Sequence, residues 1–437
     1  MNPNKSQNKI TLNPRRRVAI VASKRIPFVK SGTHYEGLAL AELLTPALNA
    51  LVRDLKLEGQ RLGEVAVGAL LKSPSERGLA RDCVLGTPLD PHTPGLDLER
   101  ACGSGLEAVI AVANKIALGQ IESGIGAGVD TNSNLPLLFS KPLADVFKSF
   151  YKSGFSGSAL RSLSKLRPAD FAPTLPRVIE KRTGLSMGQH CELMAQEWQS
   201  SRQAQDQIAF RSHQNASKAY AEHFYDDLVL EFGGRKQDSI LRADTTLEKL
   251  AKLKTAFEKS EKGTLTAGNS TALTDGAAAV FLASEDYASK HQLPILGYFV
   301  DARVWAVDFV KGHEGLLMAP TYAVAELLKM HSLSFDDFKH FEIHEAFAAQ
   351  VDCTLKAWED QKYCREKLGL SQALGKIPIE KTNVVGSSLA LGHPFSATGA
   401  RITGTLAKLL KGHRGELGLI SICTAGGMGV AAIIEGA

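Results

Sequence analysis

Four segments hold side chains whose type and setting suit them to chemistry. In ERACGSGLEA, Cys102 precedes Gly103, Ser104 and Gly105 and then a long apolar run. A cysteine just ahead of a helix meets unpaired backbone N–H groups and the positive end of the helix dipole, so a lowered thiol pKa is expected. Gly103 and Gly105 let another chain or a ligand approach the backbone closely. The plainer alternative is a buried cysteine before a core helix. In ALGHPFSATGAR, His393 is followed by Pro394 and by small residues that open a helix. Histidine is the side chain suited to take a proton from a thiol near neutral pH; the alternative is a hydrogen-bonded turn histidine. In FEIHEAFAAQ, His344 and Glu345 read in two ways. They form a polar patch at a helix start, with Glu345 near its positive end, or His344 faces charge developing on a carbonyl oxygen. In SICTAGGMG, Cys423 ends a strand before a glycine turn. That turn can bring its sulfur and adjacent backbone N–H groups into a cleft; otherwise Cys423 is a core residue.

Each segment alone is a modest signal. Together, two cysteines and two histidines at strand–helix junctions describe one acyl-transfer centre: a nucleophile, a base, an oxyanion donor and a second acid/base. No metal site is expected, because His344-Glu345 does not extend to H-E-x-x-H. No P-loop or G-x-G-x-x-G occurs, and GIGAGVD at 124–130 lacks the spacing.

The elements that must position these residues alternate. Val18 to Ala22 reads as a buried strand. Gly103 to Leu118 reads as a helix apolar on nearly every face, and Gly124 to Val129 as a glycine-rich strand. Ala397 to Leu410 is again helical, Leu417 to Cys423 again a strand, and GGMGVAAIIE a turn and a closing strand. Strands alternating with helices imply an α/β fold. The two halves echo each other in pattern, which suggests duplication of one βαβ-rich unit. From about 136 to 261 the chain is more charged and poorer in strands, so an inserted, mostly helical subdomain is expected there. It includes a helical stretch from Gly188 to Ala221. It also includes a basic amphipathic stretch, 141–170, where Lys141, Lys148, Lys152, Arg161, Lys165 and Arg167 face Asp145 and Asp170.

Composition bounds the classes. The chain has 437 residues, 44% hydrophobic and 22% charged, which excludes disorder as the main state and suggests two or three domains at roughly 100–200 residues each. Its apolar runs are too short for a transmembrane helix. The formal charge of +5 is too mild for a dedicated nucleic-acid binder. The N-terminal MNPNKSQNKITLNPRRR is basic with no apolar core, so it is not a secretory signal; its lack of acids also suits a short organellar presequence. The six cysteines form no C-x-x-C pair and fit a reducing compartment.

From Arg17 to about Ile434 the chain resembles the thiolases. RRVAIVASKRIPFVKSGT is similar to the opening strand and turn, and ERACGSGLEA to the nucleophile segment. GLSMGQHCELMA, SRQAQDQIAFRSHQNA and RADTTLEKLAKLKTAF resemble the inserted loop domain that binds coenzyme A. TAGNSTALTDGAAAV, HEAFA, ALGHPFSATGAR and CTAGGMG follow in the family's order. The resemblance implies duplicated halves forming a five-layered α-β-α-β-α core. The division is a basic tail (1–16), an N-terminal half (17–135 and 262–289), an inserted loop domain (136–261) and a C-terminal half (290–437). It implies thiolytic cleavage of 3-ketoacyl-CoA by CoA, with no permanently bound cofactor and CoA as substrate. Cys102 would be the acylated nucleophile, His393 its activator and Cys423 the proton shuttle. The backbone N–H groups of Cys102 and Ala425 would form one oxyanion hole. His393, with His344 or a water it holds, would form the other. Ser186, Met187, Arg242, Ala267, Thr271, Ala346 and Phe347 fall where the family meets CoA or the acyl thioester.

There are departures. Many thiolases have Asn at the place of His344; the HEAF form resembles the degradative, long-chain branch. Many have Asn where Glu99 stands, and most have Glu near Asp130 and Gly at Ala425. The resemblance further implies a homodimer or homotetramer. It also implies a complex with a hydratase/3-hydroxyacyl-CoA dehydrogenase subunit, docked through the basic stretch; contact with a membrane surface or a merely solvated helical face is the alternative. A bacterial cytoplasm is expected, with the mitochondrial matrix as the other reading. Two competing functions remain. A ketoacyl synthase would have His or Asn in place of Cys423, and a non-catalytic CoA binder would have lost the nucleophile or base.

Overall fold

The computed structural model describes residues 15–136, 138–172 and 179–437, with the backbone alone for 158 and 159. Of the basic tail expected over 1–16, only Arg15 and Arg16 fall within that range.

The first half runs β1 (Val18–Arg25), β2 (Val29–Lys30), α1 (Leu40–Asp54), β3 (Glu64–Gly68), α2 (Leu79–Leu85), β4 (Gly95–Leu98), α3 (Ser104–Ala117) and β5 (Ser123–Asp130). A long excursion follows, with α4 (Lys141–Ser153), α5 (Gly157–Leu163), α6 (Met187–Glu197), α7 (Arg202–Ala221) and α8 (Leu247–Ala251). The chain then returns through β6 (Thr274–Ser284) and α9 (Glu285–Lys290). The second half comprises β7 (Gly297–Ala306), α10 (Ala319–His331), β8 (Phe338–Ile343), α11 (Ala348–Glu359), α12 (Gln361–Glu366), α13 (Ser388–Leu391), α14 (Ala397–Leu410), β9 (Leu417–Thr424) and β10 (Met428–Gly436).

The duplication is visible in the strand order β4-β3-β5-β6-β1-β7-β10-β9-β8. In the first half β3 and β5 are parallel, and β5, β6 and β1 follow antiparallel. The second half repeats this with β8 and β9 parallel, then β10 and β7 antiparallel. The halves are stitched edge to edge where Val18–Ile20 pairs with Gly297–Phe299. Three apolar clusters separate five layers. One packs α1 and α2 on the outer face of the first half-sheet. The central one encloses α3 and α14 between the two half-sheets. The third packs α10 and α11 on the outer face of the second.

α3 is buried on most sides, as its sequence requires. The glycines of β5 explain how it comes so close. Gly124, Gly126 and Gly128 share one face of the strand, and a Cβ on Gly126 would lie 2.6 Å from the Val109 backbone in α3.

The helical stretch expected from Gly188 to Ala221 is two helices. The chain turns at Gln199, where φ is +50°, and Ser201 caps α7 through an N–H of Ala204. A Ser200–Ser201 pair competes with helix by bonding nearby backbone, which favours this break.

Candidate active site

Both reactive segments sit at helix starts that touch. Cys102 lies just before α3, behind Ala101 held at φ +44°. That is an unusual conformation for a residue with a Cβ, of the kind stored at functional turns. His393 lies just before α14, and Phe395 between them also has positive φ, +22°. Gly105 makes the approach feasible: a Cβ there would stand 2.2 Å from the Ser396 carbonyl oxygen. The close neighbour expected at Gly105 is thus another segment of this chain. Asp130, at the end of β5, ties the same corner together. Its carboxylate accepts the N–H groups of Leu70, Leu71 and Ser396. Burial pushes its pKa up to about 6 against those hydrogen bonds.

The two histidines face each other, ring centroids 4.1 Å apart. His393 donates its backbone N–H to Thr274, and its Nδ1 meets Thr398 Oγ1 at 2.6 Å. His344, one residue past β8, meets Ser388 Oγ through Nδ1 at 2.8 Å. Both Nε2 atoms are buried and have no partner among the described residues. A buried polar atom without a partner costs about 1–3 kcal/mol, so two together mark a place built for a ligand.

Glu345 does not sit on the start of α11. It is buried and accepts from Ser212 on α7, Asn383 and the Leu389 N–H, so it anchors the excursion beneath the site. His344 and Glu345 are therefore not a polar patch at a helix start.

A cavity of about 340 Å³ opens over these groups. Cys102, His393, Cys423, Ala425, Ser186, Met187, Thr271, Ala346 and Phe347 all line it. Arg242 and Ala267 do not; both are exposed and off its wall. His344 is not itself a lining residue, but its ring lies 4.1 Å from that of His393, which is. Leu70, Gly188, Phe257, Leu273, Leu317, Phe395 and Thr424 complete the lining. Phe395 and Thr398 lie within the His393 motif and were findable from it, whereas Leu70 and Leu317 carry no signal that distinguishes them from core. No group of His, Cys, Asp or Glu among the described residues is arranged to hold a metal ion.

The electrostatics correct one expectation. The Cys102 thiol is not lowered but pushed up to about 12. Burial is the largest cause, and the nearby Asp130 adds to it. The backbone N–H groups of Ala425 and of Cys102 itself favour its charge without prevailing. Burial likewise raises the Cys423 thiol, and the Cys102 sulfur raises it further. His393 is lowered to about 3 by burial and by Arg401. The resting pair is thus a neutral thiol and a neutral imidazole.

Residues 18–286 match the family model "Thiolase, N-terminal domain" and residues 295–436 match "Thiolase, C-terminal domain". The chain is 38% identical over 425 residues to a 3-ketoacyl-CoA thiolase of Shewanella baltica, covering 96% of this chain and 97% of that one. It is 38% identical over 426 residues to another of Yersinia enterocolitica, with the same coverage. Its fold matches the Bacillus anthracis acetyl-CoA acetyltransferase with a TM-score of 0.80 at 30% identity, over 97% of this chain and 99% of that one. It matches human mitochondrial 3-ketoacyl-CoA thiolase in complex with CoA with a TM-score of 0.80 at 28% identity, over 97% and 98%. With both halves matched in order and the reactive segments of each meeting in one cavity, this chain belongs to the thiolase family.

Proposed function

We propose that this protein cleaves 3-ketoacyl-CoA with CoA, giving acetyl-CoA and an acyl-CoA shortened by the acetyl unit, in fatty-acid β-oxidation. The observation that carries this reading is the convergence of two thiols and an unpartnered imidazole nitrogen on one cavity. His393 Nε2 takes the Cys102 proton as the sulfur attacks the 3-keto carbon. The bond between C2 and C3 then breaks, leaving acyl-Cys102 and the enolate of acetyl-CoA. The Cys423 thiol protonates C2. In the second half, Cys423 takes the proton of the incoming CoA thiol, whose sulfur attacks the acyl thioester. Cys102 leaves as thiolate and recovers its proton from His393. Oxyanions form on both sides of this cycle. The N–H groups of Cys102 and Ala425 are proposed to hold one, and the two Nε2 atoms the other. Losing one such donor typically costs 100- to 1000-fold in rate.

Ser186, Met187, Thr271, Ala346 and Phe347 are proposed to meet the thioester arm of CoA. Arg242, exposed beyond the wall, suits its phosphates, and Ala267, also exposed, is proposed to meet CoA outside the cavity. The domain division at 136 and 261 is proposed to follow the excursion between β5 and β6. Association of two copies or four is also proposed; β4 and β8, at the two ends of the sheet, each pair on one side only among the described residues. A bacterial cytoplasm is the proposed location, in line with the bacterial relatives.

The reaction is tested by separating its halves. Cys102→Ser should abolish acyl-enzyme formation. Cys423→Ala should still be acylated by an acyl-CoA but lose carbon–carbon cleavage. Normal turnover of 3-ketoacyl-CoA by that second variant would overturn the shuttle.

A further inference from the structure

We infer that Ser388 and Arg401 are positioning residues that hold His344 with its proton on Nε2, as a hydrogen-bond donor to the reacting carbonyl. The inference rests on the proposed reaction for its purpose, though not for its geometry. Arg401 is buried in α14, and its Nη2 donates to Ser388 Oγ at 2.7 Å. A guanidinium has no acceptor, so Ser388 Oγ must be the acceptor of that bond. The hydroxyl keeps one proton to give. Its other partner among the described residues is His344 Nδ1, at 2.8 Å. Were Nδ1 the donor, the buried hydroxyl proton would be left with no partner, so Nδ1 accepts and the neutral imidazole has its single proton on the other nitrogen. Burial, His393 and the Arg401 charge all keep His344 neutral. Nε2–H is then a buried donor with no partner, beside His393.

His393 is held differently. Its Nδ1 partner is the Thr398 hydroxyl, which can donate or accept. That freedom suits a group that must gain and lose a proton. A neutral histidine nitrogen donates in only one tautomer, so a donating His344 needs a device that selects it, and Arg401–Ser388 is such a device.

The test uses the full chain with 15N-labelled histidine, the His344 signals being assigned by their loss in His344→Asn. In the unsubstituted protein, without substrate, Nε2 should be protonated and Nδ1 bare. Ser388→Ala should move the proton wholly or partly to Nδ1. It should also lower kcat for 3-ketoacyl-CoA cleavage about 10- to 100-fold, with KM little changed, a partial loss of one oxyanion donor. A proton on Nδ1 in the unsubstituted protein would overturn the inference without any variant having to fold. So would a Ser388→Ala protein whose tautomer and kcat are both unchanged. Because the tautomer is read without turnover, a protein with the Nε2 proton and no cleavage activity would refute the proposed reaction and leave this inference standing.

Discussion

At Cys102 the helix start and the cavity wall pull the thiol in opposite directions. The N–H groups of Cys102 and Ala425 favour the thiolate; burial and Asp130 disfavour it and prevail. The sign follows: a thiol raised above its ordinary value near 9 is protonated at neutral pH, and its thiolate grows only as pH rises. Alkylation of Cys102 by iodoacetamide in the free enzyme should therefore keep rising above about pH 9. A rate already level at neutral pH would show a preformed thiolate. His393, lowered to about 3, stays a neutral acceptor throughout that range and accepts the proton when substrate arrives. The dipole of the local helix by itself would lower the thiol. Burial overrides it, and burial is set by folding, which brings residues as distant as Leu70, Phe257 and Leu317 to the same cavity.

The element scale is ruled by the contact between α3 and α14. Their starts meet backbone to backbone. A Cβ on Gly105 would lie 2.2 Å from the Ser396 carbonyl oxygen, and one on Gly399 would lie 2.1 Å from the Leu106 nitrogen. Neither neighbour is a side chain that can swing away. Gly105→Ala should therefore push Cys102 and His393 apart, lowering stability by about 1–3 kcal/mol and kcat by more than tenfold. Gly412→Ala is the control. Its φ of +77° imposes strain of about 1–2 kcal/mol, but open space surrounds it and it lies at the far end of α14. Thermal melts paired with kcat separate the two: both variants lose stability, and only Gly105→Ala should lose turnover.

At the scale of the molecule, the excursion between β5 and β6 serves the site from below and presents a second face outward. Glu345 binds Ser212 of α7 beneath the histidines. On the outside, α4 and the turn after it expose Phe147, Tyr151 and Phe155, the last two 94% and 88% exposed, between Lys141, Lys148 and Lys152. Such a basic, aromatic face is proposed to dock the hydratase/dehydrogenase partner. Reversing those three lysines to Glu should abolish co-purification with that partner while leaving kcat on free 3-ketoacyl-CoA unchanged. Unchanged co-purification and unchanged liposome binding together would remove the docking reading. The sequence by itself determined the alternation of strand and helix, the pattern shared by the two halves, and Cys102, His393 and Cys423 as candidate residues, because periodicity and local turn chemistry are written in neighbouring residues. Tertiary structure alone decided the protonation of Cys102, the Arg401–Ser388–His344 chain, the anchoring role of Glu345 and the exclusion of Arg242 and Ala267 from the wall. Each of these depends on burial and on partners tens or hundreds of residues away, which no local pattern encodes.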